Sequence, residues 1–192
     1  SDLMELASPA FGQGSTIPRQ YTCDGGDLSP PLSWSGLPAV AKSLALVVDD
    51  PDARGTWVHW VLYNIPPDVT GLPEGVPTTT DVLPDGTIQG VNKLKEETQQ
   101  MGYSGPCPPP SLIRLFGEKG RMSEPPHKFF FKVYALDTEL DLAPGATKDE
   151  LTAAMEGHVL AYGETMGKYQ GPRLKGYYTD DSGSPVTLPP TA

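Results

Sequence analysis

Three aspartates, Asp49, Asp50 and Asp52, precede an apolar run that carries one histidine, His59, between Trp57 and Trp60. An imidazole among aromatic neighbours is partly desolvated, which lowers its pKa unless an anion compensates. A carboxylate from the preceding segment would hold one ring nitrogen and aim the other outwards. The alternative is a core histidine satisfied by a loop aspartate, since buried polar groups are normally paired. A second grouping is the run GYSGPCPPP, residues 102–110. Its prolines fix φ and remove backbone donors, so it cannot join a ladder. Such a loop can shape a pocket wall from the N–H groups near Ser104 and Gly105, or simply be a stiff connection. Cys107 with His127 and an aspartate could imitate a cysteine-nucleophile triad. Cys107 nevertheless lies between prolines, with no helix N-terminus to lower its pKa, so a structural cysteine is expected and a hydrolase is the alternative. His59, His127, Asp50 and Asp52 are the residue types that ligate zinc. No HxH or HExxH spacing supports a metal, and neither metal nor cofactor is expected.

Three strands would position these groups. Residues 40–49 and 129–136 read as strands, and so does the run from Trp57 to Ile65, which Pro66-Pro67 ends. Strict alternation would put Trp57, His59, Val61 and Tyr63 on one face and Val58, Trp60, Leu62 and Asn64 on the other. Asp49, Asp50 and Asp52 fall in the turn before the second strand. Thr147-Lys-Asp-Glu150 is a capping-box pattern. Leu151, Met155, Val159 and Tyr162 then recur at helical spacing, and Gly163 offers a stop. His158 sits on that helix as a packing or surface histidine. Strands do not alternate with long helices, which argues against a doubly wound sheet.

The 192 residues are read as one domain, 1–192, with 171–192 as an irregular tail. The 22 prolines and 21 glycines are dispersed, as expected for many turns joining short strands. A formal net charge of −10 argues against binding nucleic acid or anionic membranes. No apolar run is long enough to cross a bilayer. The N-terminal stretch has neither a basic start nor an apolar core, so it is not read as a signal peptide. Two cysteines far apart favour a reduced, cytoplasmic setting, with one long-range bridge as the alternative.

The motifs DPDA, WVHWVLYNIP, GYSGPCPP and an H-K-aromatic step into a strand ending YALD occur in that order. Together with Ile17-Pro18, the segment from Tyr21 to Gly25 and the segment from Ser29 to Trp34, they resemble the phosphatidylethanolamine-binding protein family. The likeness is greatest to its bacterial and archaeal, Raf-kinase-inhibitor-like branch. The resemblance implies a mainly β, Greek-key fold in which a large, mostly antiparallel sheet packs on a smaller one, with a few short peripheral helices. It also implies a small pocket for phosphate-like anions or a phosphoethanolamine headgroup, lined by Asp50, Asp52, Trp57, His59, Ser104, Gly105 and His127. In that reading the protein is not an enzyme but a ligand-binding or regulatory protein. A kinase or protease is a possible partner to be inhibited, and homodimers occur by resemblance to bacterial relatives.

Three departures stand out. Arg54 replaces the family's proline after DPDA, and its guanidinium suits an anion as well as it suits exposed surface. Phe129 stands where a tyrosine is common. An insertion at 111–124 follows the CPPP segment. From Ser111 to Lys128 there are four basic residues against two acidic ones, so a lid or partner-contacting flap is one expectation and a tolerated surface excursion the other.

Overall fold

A computed structural model describes residues 2–51, 53, 55–94, 98–108 and 126–171, together with the backbone of 178–179 and 185–186. The insertion at 111–124, Asp52, Arg54 and most of the tail lie outside the described residues.

The strands are β1 (Asp2–Leu3), β2 (Glu5–Ala7), β3 (Leu32–Ser35), β4 (Ser43–Asp50), β5 (Trp57–Ile65), β6 (Gly71–Leu72), β7 (Ile88–Gln89), β8 (His127–Leu136), β9 (Val159–Tyr169), β10 (Tyr178–Thr179) and β11 (Pro185–Val186). Among the described residues one helix, α1, spans Lys148–Met155, and one 3-10 turn covers Arg19–Tyr21. The large sheet has the order β1-β9-β8-β4-β5-β7. Its pairings are antiparallel except β1 with β9. The smaller sheet, β2-β3-β6, is antiparallel throughout. Pro66-Pro67 does close β5, as the missing N–H requires.

Each face of the large sheet carries its own core. On one side Leu44, Leu46, Val48, Trp60, Leu62, Phe129, Phe131 and Val133 pack with Leu6, Leu32, Trp34 and Leu72 of the small sheet. On the other, Ala45, Val47, Val58, Val61 and Tyr63 pack with Leu151 and Met155 of α1. Each fully buried side chain of this size contributes about 1.5–3 kcal/mol before ordering costs. The capping box forms: Thr147 Oγ1 accepts from the Glu150 N–H, and the Glu150 carboxylate accepts from the Thr147 N–H.

Two sequence expectations need correction. The helix ends at Met155, so Val159, Tyr162 and Gly163 belong to β9 rather than to a longer helix. Gly157, at φ +80°, reverses the chain where a side chain would be strained. Along β9, Ala161, Gly163, Thr165, Gly167 and Tyr169 are buried in alternation. That two-residue repeat is what the sheet selects, and the helical spacing of four apolar residues was coincidental. His158 therefore lies in the turn and bonds Asp137 Oδ1 at 2.7 Å.

His59 also departs from the face that strict alternation would give it. In the β4–β5 ladder Asp49 opposes Val58 and Val48 opposes Trp60, which leaves His59 as an extra residue in a bulge. The bulge breaks strict alternation. Val58 joins Val61 and Tyr63 on the helix side. His59 meets Phe129 on the small-sheet side, with ring centroids 5.1 Å apart, and no longer shares a face with Val61 and Tyr63.

Cys23 and Cys107 are joined by a disulfide across 84 positions of sequence, with Cα atoms 5.4 Å apart. The expectation of reduced thiols is thereby overturned. The turn at 19–27 and the 103–107 loop are brought together by long-range contacts that no sequence spacing announces.

Candidate functional site

Asp50 is the last residue of β4 and is 1% exposed. Its alternation partner Asp49 faces the opposite side of the sheet. Both aspartates therefore belong to the strand and not to the turn after it. Asp49 is equally buried and is clamped by Lys148 Nζ at 2.7 Å and Lys132 Nζ at 3.2 Å. It docks α1 onto the sheet and reaches His59 only through its charge. Asp50 accepts from His127 Nδ1 at 2.7 Å, where His127 opens β8. A carboxylate only accepts, so Nδ1 carries the hydrogen of this bond. The expected aspartate–histidine pair exists, but with His127 and not with His59.

His59 is held by backbone instead. Its Nδ1 lies 2.6 Å from the Ser104 carbonyl oxygen, and its own carbonyl accepts from the Ser104 N–H at 3.0 Å. A carbonyl also only accepts, so the hydrogen sits on Nδ1. Nε2 is buried and has no hydrogen-bond partner among the described residues. Burial depresses the His59 pKa, opposed by the Ser104 carbonyl and by the charges of Asp50 and Asp49. The ring is thus neutral at pH 7, with a lone pair at Nε2. Phe129, 2% exposed, separates the two imidazoles, meeting His59 edge-on and stacking with His127 at 6.3 Å between centroids.

The backbone N–H groups expected to line the pocket are already engaged. Ser104 N–H goes to His59, and Gly105 N–H donates to Asp27 Oδ1 at 2.8 Å. A Cβ at position 105 would lie 2.2 Å from the Tyr21 carbonyl oxygen and 2.6 Å from Asp27 Oδ1, so only glycine fits. Trp57 is half-buried and opposes Asp50 at the end of the β4–β5 ladder. The structure accordingly brings Asp50, His59, Ser104, Gly105 and His127 to one end of the large sheet, with Trp57 at its margin. Asp52 lies outside the described residues.

Sequence reading missed the support behind this loop. Tyr103 Oη donates to the Tyr21 carbonyl at 2.6 Å, and Tyr169 Oη to Asp24 Oδ2 at 2.5 Å. Burial pushes the Asp27 carboxyl up, and the Gly105 N–H partly offsets this. The run Gly25-Gly26-Asp27 was the available signal, since these residue types mark a turn, and Asp27 adopts φ +55° there.

Cys107 is consumed by the disulfide, so it cannot be the nucleophile of a cysteine hydrolase. Among the described residues no three His, Cys, Asp or Glu side chains converge on a metal position. A separate cavity of about 280 Å³, lined in part by Val58, Lys93, Thr147 and Lys148, opens on the helix side of the sheet, away from His59.

The family model for phosphatidylethanolamine-binding proteins matches residues 7–170. The chain belongs to the phosphatidylethanolamine-binding protein family. A relative from Methanothermobacter thermautotrophicus, named a UPF0098 protein, is 49% identical over 87% of this chain and 99% of its own. A UPF0098 protein from Pyrococcus horikoshii is 48% identical over 85% of this chain and 75% of its own. Among solved structures, a phosphatidylethanolamine-binding protein homolog from Chlamydia trachomatis superposes with a TM-score of 0.70 at 39% identity, covering 89% of this chain and 99% of that one. Escherichia coli YbcL, described as a new member of the mammalian family, gives 0.74 at 29% identity, covering 88% and 98%. The two-sheet fold expected from the motifs is therefore the fold of this phosphatidylethanolamine-binding family member. Among the described residues no helix is long and apolar enough to cross a membrane.

Proposed function

We propose that this protein is a binding protein whose pocket, around Asp50, His59 and His127, takes a small phosphate-like anion. One observation carries the reading: His59 Nε2 is buried and unpartnered among the described residues, beside a second imidazole whose Nδ1 is also spent on a protein acceptor. A buried polar atom without a partner costs about 1–3 kcal/mol, so a ligand that satisfies it gains that amount back.

The ring tautomer refines the chemistry. Neutral His59 offers a lone pair at Nε2, so that atom accepts a hydrogen bond and cannot donate one. A hydrogen phosphate or phosphate monoester can bring its own proton to that atom. A fully deprotonated oxyanion binds only if His59 takes up a proton. The pocket serves to sense such a ligand or to present it within an inhibitory complex with a protein partner, a kinase or protease being the candidate class. Binding rather than catalysis is the proposed role.

The test is a histidine side-chain NMR titration with inorganic phosphate and O-phosphoethanolamine, for the wild type and His59→Ala. Saturable shifts at His59 and His127, lost in the variant, support the pocket. Unmoved signals at millimolar ligand would sink it.

A further inference from the structure

We infer that Asp27 is a positioning residue for His59, acting through the single peptide unit between Ser104 and Gly105. This rests on the anion-pocket reading for its functional consequence, but its geometry stands alone. The carbonyl of Ser104 and the N–H of Gly105 belong to the same planar trans peptide, and the two groups point in opposite directions. On one side the N–H donates to Asp27 Oδ1 at 2.8 Å. On the other the carbonyl lies 2.6 Å from His59 Nδ1. A planar unit held at one end is oriented at the other, so the Asp27 bond aims the carbonyl that selects the Nδ1–H tautomer of His59. That tautomer is what leaves an acceptor lone pair at Nε2.

Other features indicate that this arrangement is built and not incidental. Asp27 keeps φ +55°, the left-handed region that glycine adopts most freely. Glycine would hold it more cheaply, yet the position carries an acceptor. Gly105 must lack a Cβ for its peptide to approach this close, because the added atom would meet both Tyr21 O and Asp27 Oδ1. The turn bearing Asp27 is tied to the loop a second and a third time, by the Cys23–Cys107 disulfide and by Tyr103 Oη on the Tyr21 carbonyl. Loss of the carboxylate therefore leaves the loop in place while freeing one peptide to rotate.

The experiment compares Asp27→Gly, which removes the acceptor and relieves the backbone strain, with Asp27→Asn, which keeps an acceptor oxygen. Long-range ¹H–¹⁵N spectra of the histidine rings report the His59 tautomer without any ligand, and inorganic phosphate is the probe for binding. The expected result is an Nδ1–H ring in the wild type and Asp27→Asn, and a mixed or Nε2–H ring in Asp27→Gly. Phosphate affinity should change tenfold or more in Asp27→Gly only, because the hydrogen-bond role of Nε2 changes with the tautomer, with His127 signals unchanged in both variants. An Asp27→Gly protein with wild-type tautomer and affinity overturns the inference. If the wild type binds no phosphate, the pocket reading fails, and the tautomer comparison still decides the role of Asp27. If Asp27→Gly does not fold, amide exchange in the wild type decides: a Gly105 N–H exchanging like a free amide overturns the inference, and a protected one beside an Nδ1–H His59 supports it.

Discussion

Asp50 Oδ2 accepts from His127 Nδ1 at 2.7 Å across 77 positions of sequence, whereas His59, far nearer in the chain, is held by the Ser104 carbonyl. The two imidazoles are thus oriented by different means, one by a charge and one by backbone. Both spend Nδ1 on the protein.

Asp50→Ala should separate these two controls. A hydrogen bond to a charged group is worth about 1.5–3 kcal/mol, so urea unfolding should show a loss in that range. The His127 ring signals should broaden or shift, and those of His59 should keep the Nδ1–H pattern. A His59 tautomer that changes with Asp50 would show that the two sites are not independent.

Stability should depend on pH through His59 with a definite sign. Its folded pKa is depressed below the ordinary value of 6.5 by burial. Above 6.5 neither folded nor unfolded ring binds a proton, and the contribution is complete. As pH falls below 6.5 the unfolded state takes up a proton that the folded state refuses, so stability declines until the folded pKa is passed. Asp27 works in the other direction at lower pH, because its carboxyl is raised above 3.8. Its contribution is fully present below 3.8 and is lost as pH rises through the folded value. Urea midpoints between pH 5 and 7.5 should therefore fall with acid more steeply in the wild type than in His59→Gln. Equal slopes would mean that His59 titrates normally.

The Cys23–Cys107 bridge closes a long loop, with a sequence separation of 84. Chain-entropy arguments give about 4–5 kcal/mol of stabilisation for a loop of that size. Reduction, or the double variant Cys23→Ser with Cys107→Ser, should lower the unfolding free energy by several kcal/mol and weaken phosphate binding. Thiol titration of the oxidised, denatured protein should find no free cysteine. Two thiols reacting in the unreduced protein would contradict the bridge.

Asp49 is buried between Lys132 and Lys148, whose side chains are 23% and 28% exposed. Replacing both lysines by methionine strands a buried carboxylate and should cost about 3–5 kcal/mol. Adding Asp49→Asn to that variant should recover part of the loss. No recovery would place the cost in lysine packing rather than in charge.

Much of this protein is legible in its sequence, for local reasons. The aromatic and β-branched run from Trp57 to Ile65 is a strand in any packed context, and the proline pair must end it. Thr147 and Glu150 start a helix with their own side chains. The ordered motifs named the fold, and they named the residues at the end of the sheet. What only tertiary structure decided are relations that depend on register and on distant partners. One extra residue opposite Asp49 and Val48 turns His59 to the face of Phe129, and no periodicity count contains that bulge. Because neighbouring strand residues face opposite ways, Asp50 reaches His127 while Asp49 turns to two lysines. Val159 and Tyr162 satisfied a helical repeat, but pairing with β8 and burial of every second residue outweighed that weak local preference. The role of Asp27 was hidden for the same reason: a peptide is aimed by whatever lies on both sides of it, and one of those sides is 78 residues away.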